Sequence, residues 1–239
     1  MNHLVSALLH ARASGAAARL TAADLPSSAA EAYAAGLSQA AEPAAWKIGG
    51  ANPWSRQVFA NTEVFFGPLA PGEVAVETEA LSLAGLHAPL AEPELMLELG
   101  DDPGAAQPFR RMGLGFEIPA SVLPEALKPA LAGQMADRAG AGALWVGAVQ
   151  AFDAARCGST FVSQFRRNGG AAAAGCGANI IAGPLGAAQE FLGLARRYGM
   201  PLAPGQWIAT GGLSPAVPAA PGDLLECSAM GLQVRLRLA

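Results

Sequence analysis

Charged residues, cysteines and long hydrophobic runs are all scarce in this sequence. Only 14% of the 239 residues are charged, while 52% are hydrophobic; an average protein has about a quarter charged. This balance excludes a disordered chain, which combines low hydrophobicity with high net charge. No apolar stretch reaches the roughly 18 residues that a membrane helix requires, so we expect no membrane association.

Basic charge is neither abundant nor clustered. The chain has 15 Lys and Arg against 19 Asp and Glu, a formal net charge of −4. A nucleic-acid-binding surface needs a concentrated basic patch, so nucleic acid is not an expected partner. The N-terminus lacks the basic region of a signal peptide. Cys157, Cys176 and Cys227 are too few and too far apart for a disulfide framework or a zinc site, which favours buried thiols in the cytoplasm.

The hydrophobic pattern changes along the chain and predicts the α+β class. Residues 3–15 carry leucines at helical spacing, and Ser28 with Glu31 stand at the spacing of a capping box. From Trp46 onward, short apolar runs alternate with glycine and proline turns, which is typical of β structure. We therefore expect a helical or mixed N-terminal domain at residues 1–70 and a β-rich body at residues 71–239.

Several elements of the β-rich body are specific enough to predict. The strands are expected at Val74 to Thr78, Leu90 to Leu99, Gly113 to Ile118, Leu144 to Val149, Gln206 to Thr210 and Leu224 to Leu238, the last bent at Met230-Gly231. Asn168-Gly169 is typical of a tight hairpin turn. Gly186 to Tyr198 has the apolar spacing of an amphipathic helix, with Gly199 as its stop signal.

Acidic residues are concentrated in the segment from Ala91 to Leu99. Side chains alternate along a strand, so Glu92, Glu94 and Glu98 share one face. Glu117 lies in an otherwise apolar run, where an ionised carboxylate is costly to bury unless a cation neutralises it. An ordinary solvent-facing strand gives the same alternation. The other interpretation is a hard-cation site with two Glu from one strand and one from its neighbour, since Mg²⁺ prefers oxygen ligands.

Eight short motifs follow one another along the chain. They are Trp46-Lys47-Ile48-Gly49-Gly50, Val64-Phe65-Phe66-Gly67-Pro68-Leu69, Glu92-Pro93-Glu94, Phe116-Glu117-Ile118, Ala136-Asp137-Arg138-Ala139-Gly140, Asn168-Gly169 with Gly183-Pro184-Leu185, Gly205 to Gly212, and Pro221-Gly222-Asp223. Each is weak alone. In this order they resemble the motifs of the 2-keto-4-pentenoate hydratase branch of the fumarylacetoacetate hydrolase superfamily.

The resemblance implies a fold and a metal site. The fold would be a mixed β-sandwich roll, like the C-terminal domain of fumarylacetoacetate hydrolases, after a small N-terminal helical domain. Glu92, Glu94 and Glu117 would bind Mg²⁺ or Mn²⁺. Lys47 would stand beside the ion, as a fixed positive charge for the substrate carboxylate or as a proton donor.

Three further residues are candidates for the site. Asp137 matches the Asp of the fifth motif and is a second catalytic candidate after Lys47. It would lie near the metal without binding it directly. Gly211 and Gly212 would let backbone N–H groups approach a substrate closely, although a simple bend in the strand explains two glycines equally well.

The activity implied is that of a carbon–oxygen lyase in the catabolism of aromatic compounds. A divalent ion stabilises the enolate of a 2-oxo acid as a Lewis acid. The reaction would add water to a small 2-hydroxy-2,4-dienoic acid and give a 4-hydroxy-2-oxo acid. Because the same ion also serves decarboxylation, a 2-oxo acid decarboxylase or tautomerase of the 4-oxalocrotonate type is the alternative.

The third hypothesis is a catalytically silent relative that acts as a partner protein. Three departures from the family motifs favour it: Phe65 replaces an acid, Arg138 replaces Asn, and Gly140 replaces Ser. The four residues Lys47, Glu92, Glu94 and Glu117 argue against it. In either case we expect a homo-oligomer.

Overall fold

A computed structural model describes residues 2–239 and contains α-helices and β-strands in mixed order. The α-helices are α1 Asn2–Ser14, α2 Ala29–Leu37, α3 Pro53–Phe59, α4 Leu131–Ala136 and α5 Gly183–Arg197. The strands are β1 Ala45–Gly49, β2 Phe65–Leu69, β3 Val74–Val76, β4 Ala80–Leu81, β5 Leu90–Leu99, β6 Phe109–Pro119, β7 Ala141–Ala151, β8 Val162–Arg167, β9 Ala173–Cys176, β10 Trp207–Gly212, β11 Val217–Pro218, β12 Leu224–Ala229 and β13 Leu232–Leu238.

The strands form two sheets that share one core. The larger sheet has the order β2-β1-β10-β5-β6-β7-β3, with β11 added to β5, and the smaller has the order β4-β13-β12-β8-β9. Pairing is mostly antiparallel, while three pairs are parallel: β1 with β10, β3 with β7 and β4 with β13. Buried residues of both sheets and of α5 meet in one cluster, for example Leu97, Phe165 and Phe191. This architecture confirms the α+β class and the mixed β roll.

The N-terminal helices pack on a smaller cluster of their own. Leu4 and Leu8 of α1 meet Ala32 of α2 and Leu123 there. The predicted start of α2 is confirmed, because the Ser28 hydroxyl accepts from the backbone N–H of Glu31. Strands β1 and β2 belong to the large sheet, which therefore continues across residue 70. The division into residues 1–70 and 71–239 stays a prediction.

The local sequence signals located most strands correctly. Strand β5 has the predicted bounds, and Asn168-Gly169 joins β8 to β9. The segment from Leu224 to Leu238 differs, because it forms two paired strands. Met230 and Gly231 form the turn between them with φ values of +54° and +74°, as a two-residue hairpin turn requires.

Two further sequence expectations concern the membrane and the thiols. Within residues 2–239, no helix has the length and apolar character needed to cross a membrane. Cys157 and Cys227 are buried free thiols, as expected, whereas Cys176 is only half-buried.

Candidate active site

The acidic face of β5 is buried. Leu95 and Leu97 face the core between the sheets, as the alternation predicts. Glu94 and Glu98 lie on the opposite face and are only 0% and 2% exposed. The interpretation of β5 as an ordinary solvent-facing strand is therefore wrong, since carboxylates on such a strand would be hydrated.

Strand pairing brings a third carboxylate to this face. Glu117 of β6 lies directly opposite Glu92, and Glu94 lies opposite Gly115. A Cβ on Gly115 would come within 2.1 Å of the Trp145 carbonyl oxygen, so only glycine allows this approach of β7. One carboxylate oxygen from each Glu lies within 4.8 Å of the other two. Octahedral Mg²⁺ spans a similar distance, about 4.2 Å between opposite oxygens.

Lys47 reaches this cluster from β1. Its Nζ lies 2.9 Å from Oε1 of Glu117, and both side chains are almost fully buried. Strands β10 and β5 separate β1 from β6 in the sheet. The residue of β10 beside Lys47 is Ala209, and Gly211 and Gly212 follow after Thr210. These small residues leave room for the lysine side chain to cross β10.

Burial and mutual repulsion shift the carboxyl groups toward their neutral forms. Burial, together with the charge of Glu117 and against the opposing effect of Lys47, raises the pKa of Glu92 to about 7. Burial and the two neighbouring carboxylates raise the pKa of Glu94 well above its usual range, although the N–H of Gly211 opposes them. Burial also raises the pKa of Glu117, with Lys47 opposing.

The donor set fits a divalent cation. Oε1 of Glu94 and Oε2 of Glu117 are buried without a hydrogen-bond partner among residues 2–239. Such oxygens are costly to bury unless something binds them. When ionised, three carboxylates and the ammonium of Lys47 leave two net negative charges, which one divalent ion neutralises. Burial lowers the pKa of Lys47, but Glu117 and Glu92 outweigh it and raise the pKa overall, so Lys47 stays protonated.

A cavity of about 210 Å³ opens beside this cluster. Its polar lining consists of Lys47, Asn52, Ser55, Glu92, Ser121 and Gln134. Its apolar lining includes Trp54, Phe59, Phe65, Leu90 and Pro119. A larger, more open depression of about 420 Å³ lies on the face of β8, β12 and β13, away from the carboxylates. We place the candidate site at the smaller cavity, because Lys47 and Glu92 of the carboxylate cluster line it.

The two glycines of β10 have different positions. Gly212 lines the cavity, as expected of a residue near a substrate. Gly211 donates its N–H to Oε2 of Glu94 over 2.7 Å, so this group orients a carboxylate and is not free for a substrate. Its φ of +117° explains the glycine.

Asp137 does not join the carboxylate cluster. Its Oδ1 accepts from Arg12, while its Oδ2 accepts from the Ser121 hydroxyl at 2.7 Å and from the N–H of Val122 at 3.0 Å. Both oxygens are therefore occupied, and Asp137 reaches the cavity only through Ser121. This geometry does not support the catalytic role expected of Asp137.

The three departures from the family motifs have distinct structural consequences. Phe65 forms part of the cavity wall, edge-on to Phe59 at 5.2 Å between ring centroids. Arg138 is buried and donates both terminal nitrogens to Glu73, at 2.7 and 2.8 Å. Gly140 lines the cavity with a φ of +72°. An apolar wall thus replaces the acid, and the arginine points away from the site.

Four polar residues of the cavity were not predicted from the sequence: Asn52, Ser55, Ser121 and Gln134. A signal for Gln134 was present, since it is an isolated amide in the run Leu131-Ala132-Gly133-Gln134-Met135-Ala136. An amide in such a run needs a hydrogen-bond partner. The signal did not show which partner binds it.

The chain is similar to known proteins in sequence and in fold. No family model matches it. It is 27% identical to the 2-keto-4-pentenoate hydratase of Paraburkholderia xenovorans (strain LB400) over 193 residues, which cover 78% of this chain and 72% of that protein. A 2-keto-4-pentenoate hydratase 3 of Pseudomonas putida matches to the same extent.

Two solved structures illustrate the likeness in fold. The 4-oxalocrotonate decarboxylase from Pseudomonas putida G7, complexed with magnesium and adipate, has a TM-score of 0.84 at 20% identity, covering 99% of this chain and 96% of that one. A putative fumarylacetoacetate isomerase/hydrolase from Oleispira antarctica has a TM-score of 0.58 at 16% identity, covering 81% and 92%. The chain is thus similar in sequence to 2-keto-4-pentenoate hydratases, and its fold is similar to those of these two solved structures.

Proposed function

We propose that this protein is a divalent-metal-dependent hydratase. It adds water to a 2-hydroxy-2,4-dienoic acid of the 2-keto-4-pentenoate type and forms a 4-hydroxy-2-oxo acid. The observation that carries the proposal is the buried cluster of Glu92, Glu94 and Glu117 with Lys47, in which two carboxylate oxygens lack partners. The hydratase relatives, at 27% identity, support the choice of reaction.

The three carboxylates bind the metal ion, Mg²⁺ or Mn²⁺, because hard oxygen donors suit both ions. Glu94 is oriented for this by the N–H of Gly211, which holds one of its oxygens and leaves the other free. A bound divalent ion supplies Lewis acidity that stabilises the enolate form of a 2-oxo acid. The structural relative complexed with magnesium supports a divalent metal in this fold.

Lys47 provides a fixed positive charge next to the carboxylates. Its Nζ is held by Glu117, and its raised pKa keeps it protonated at neutral pH. In a low-dielectric site such a charge stabilises negative charge more strongly than in water. Lys47 therefore binds the carboxylate of the substrate and is the nearest donor for a proton moving to a substrate carbon.

The apolar end of the cavity favours hydration over decarboxylation. Lys47 is the one cation among the described residues that line the cavity. Arg56 is nearby but donates to the carbonyl oxygens of Gly50 and Thr62. 4-Oxalocrotonate is a dicarboxylate, and its second carboxylate would be buried against Phe59 and Phe65 without a counter-charge, which is costly. A monocarboxylate with a short apolar tail fits this wall.

Decarboxylation is the second candidate reaction, because this fold is similar to that of the 4-oxalocrotonate decarboxylase from Pseudomonas putida G7, with a TM-score of 0.84. A product assay separates the two reactions. The protein is loaded with Mg²⁺ and given 2-hydroxypenta-2,4-dienoate or 4-oxalocrotonate, and the products are identified by mass. The proposal requires a 4-hydroxy-2-oxo acid from the first compound. Carbon dioxide release from the second without hydration of the first would contradict it.

A further inference from the structure

Gln134 of α4 presents a free hydrogen-bond acceptor to the cavity. The residue is 7% exposed, and its Nε2 donates to the carbonyl oxygen of Lys128 over 2.7 Å. Since a carbonyl oxygen accepts only, this contact assigns the amide nitrogen to that side and Oε1 to the other. Among residues 2–239, no N–H or O–H group donates to Oε1, and Gln134 lines the cavity.

Ser121 presents a second acceptor on the same wall. Its hydroxyl lies 2.7 Å from Oδ2 of Asp137. Arg12 and the N–H of Val122 also donate to this carboxylate, so Asp137 acts as the acceptor and the Ser121 hydroxyl donates its proton to it. The Ser121 oxygen receives a long contact of 3.3 Å from the N–H of Leu123. Its remaining lone pair is free for a donor in the cavity.

Gly140 leaves space between these two acceptors. A Cβ at Gly140 would lie 3.3 Å from Cβ of Ser121 and 3.5 Å from Oε1 of Gln134. The two polar groups thus converge on one small volume that a side chain at this position would fill. The wall offers acceptors and no side-chain donor, so it suits an O–H donor such as water or an alcohol.

We propose that Gln134 and Ser121 bind the water that adds to the substrate and, after the reaction, the 4-hydroxyl group of the product. This inference rests on the proposed hydratase function. The 2-hydroxy-2,4-dienoic acid first ketonises: its 2-hydroxyl group loses a proton and carbon 5 gains one, which leaves a 2-oxo group and one double bond between carbons 3 and 4. The oxygen of the water then forms a bond to carbon 4 and keeps one proton. The electron pair of the 3,4 double bond moves to carbon 3, which gains one proton, so that one water is added and nothing is oxidised.

Both groups act by orienting the water, since neither an amide oxygen nor a neutral serine is a base at neutral pH. When Gln134 and Ser121 each accept one of the two O–H bonds of the water, the water oxygen keeps a lone pair that can bond to carbon 4 of the substrate. Asp137 is then a positioning residue, which acts by fixing the proton of Ser121. The wall also selects substrates, because a product analogue without the hydroxyl group leaves both acceptors unpaired.

The test compares two ligands that differ only in this hydroxyl group. Inhibition constants of 4-hydroxy-2-oxopentanoate and 2-oxopentanoate are measured with the Mg²⁺-loaded protein and with the variants Gln134→Met and Ser121→Ala. We expect wild type to prefer the hydroxylated ligand, and each variant to lose part of that preference, up to about 10-fold, because the two acceptors share the single O–H of the ligand. Binding of 2-oxopentanoate should not change.

The control is Gln164→Met, which alters an exposed glutamine on β8. Thermal melting verifies that each variant folds, and Ser121→Ala keeps the test decisive if Gln134→Met does not. An unchanged preference in a folded variant, or equal weakening of both ligands, overturns this inference and leaves the hydratase proposal standing. Failure of wild type to bind either ligand overturns both.

Discussion

Glu92 of β5 lies directly across from Glu117 of β6 in the antiparallel ladder of the large sheet. Like charges at directly opposite positions destabilise a strand pair. The pairing persists because Lys47 contacts Glu117 at 2.9 Å and because burial raises the pKa of both carboxyl groups. A sheet that places two acids in this position gains stability when a cation binds them.

Removal of Lys47 should destabilise the metal-free protein more than the metal-loaded one. Lys47→Met leaves the buried Glu117 without its counter-charge, which costs about 3–5 kcal/mol. Saturating Mg²⁺ should recover part of this loss. The measurement is the free energy of unfolding with and without Mg²⁺. The control Lys128→Met removes a half-buried lysine paired with the exposed Glu125 and should have little effect. Equal losses for Lys47→Met in both conditions would argue against a metal at this cluster.

A cation placed at the apolar end of the cavity should admit dicarboxylates. Leu90 lines the cavity and is 37% exposed, so Leu90→Arg places a guanidinium at the mouth without burying it fully. We expect wild type to bind 2-oxopentanoate at least tenfold more tightly than 2-oxoadipate, since an unpaired carboxylate is costly to desolvate. The variant should reduce this ratio. Val162→Arg, at a residue 73% exposed on β8, is the control. Tighter binding of 2-oxoadipate than of 2-oxopentanoate by wild type would contradict the preference for monocarboxylates.

The pair of Arg138 and Glu73 should contribute to stability. Arg138, Ala139 and Gly140 have φ values of +54°, +55° and +72°, a strained run for the first two residues. The two hydrogen bonds to Glu73 hold this run in place beside the cavity. Arg138→Met should lower the free energy of unfolding by about 2–3 kcal/mol, the range for hydrogen bonds to charged groups.

A chemical denaturation series checks this value against Arg235→Met. Arg235 forms only an exposed pair with Glu226 at 3.8 Å, so its removal should change stability by less than about 1 kcal/mol. Similar effects of the two substitutions would show that the Arg138 contact has no special structural role.

Glu98 should stabilise the fold in a pH-dependent way. Burial raises its pKa, but hydrogen bonds from Arg111 and Arg110 outweigh burial and hold the pKa below its usual value. A group whose pKa is lower in the folded state than in the unfolded state stabilises the fold at pH values above its unfolded-state pKa, which is near 4.3 for Glu. That stability is lost as the pH falls through the folded pKa. The difference in stability between wild type and Glu98→Gln should therefore be largest near neutral pH and shrink below about pH 4.

The measurement is urea unfolding at several pH values, with Glu125→Gln at an exposed acid as the control. A difference that stays constant from pH 7 to pH 3 would contradict the role of ionised Glu98.

Local patterns were sufficient to predict part of this molecule. The alternation on β5 placed Glu92 and Glu94 on one face, because the side-chain period of a strand is fixed by the backbone. The turn at Asn168-Gly169 is likewise set by residues that tolerate a positive φ. Helix α3 was missed, although Asn52 and Pro53 form a start signal of the usual kind.

The contacts that decide the roles of the site residues are long-range. Lys47 of β1 and Glu117 of β6 are brought together by the strand order β1-β10-β5-β6 of the large sheet, which the local sequence does not specify. The carboxylate of Asp137 is occupied by Arg12, which is 125 residues away along the chain. No pattern around Asp137 reveals this partner. Sequence reasoning therefore found the charged groups of the site but not which of them are free.

The proposed function depends on metal binding to the cluster of Glu92, Glu94 and Glu117, which calorimetry measures. Mg²⁺ and Mn²⁺ are titrated into metal-stripped protein, with and without oxalate as a mimic of the 2-oxo enolate, and into Glu94→Gln and Glu125→Gln. We expect one ion per chain, tighter binding with oxalate, loss of binding in Glu94→Gln and unchanged binding in Glu125→Gln. Absence of binding to wild type in both conditions, or equal binding to Glu94→Gln, would contradict this expectation.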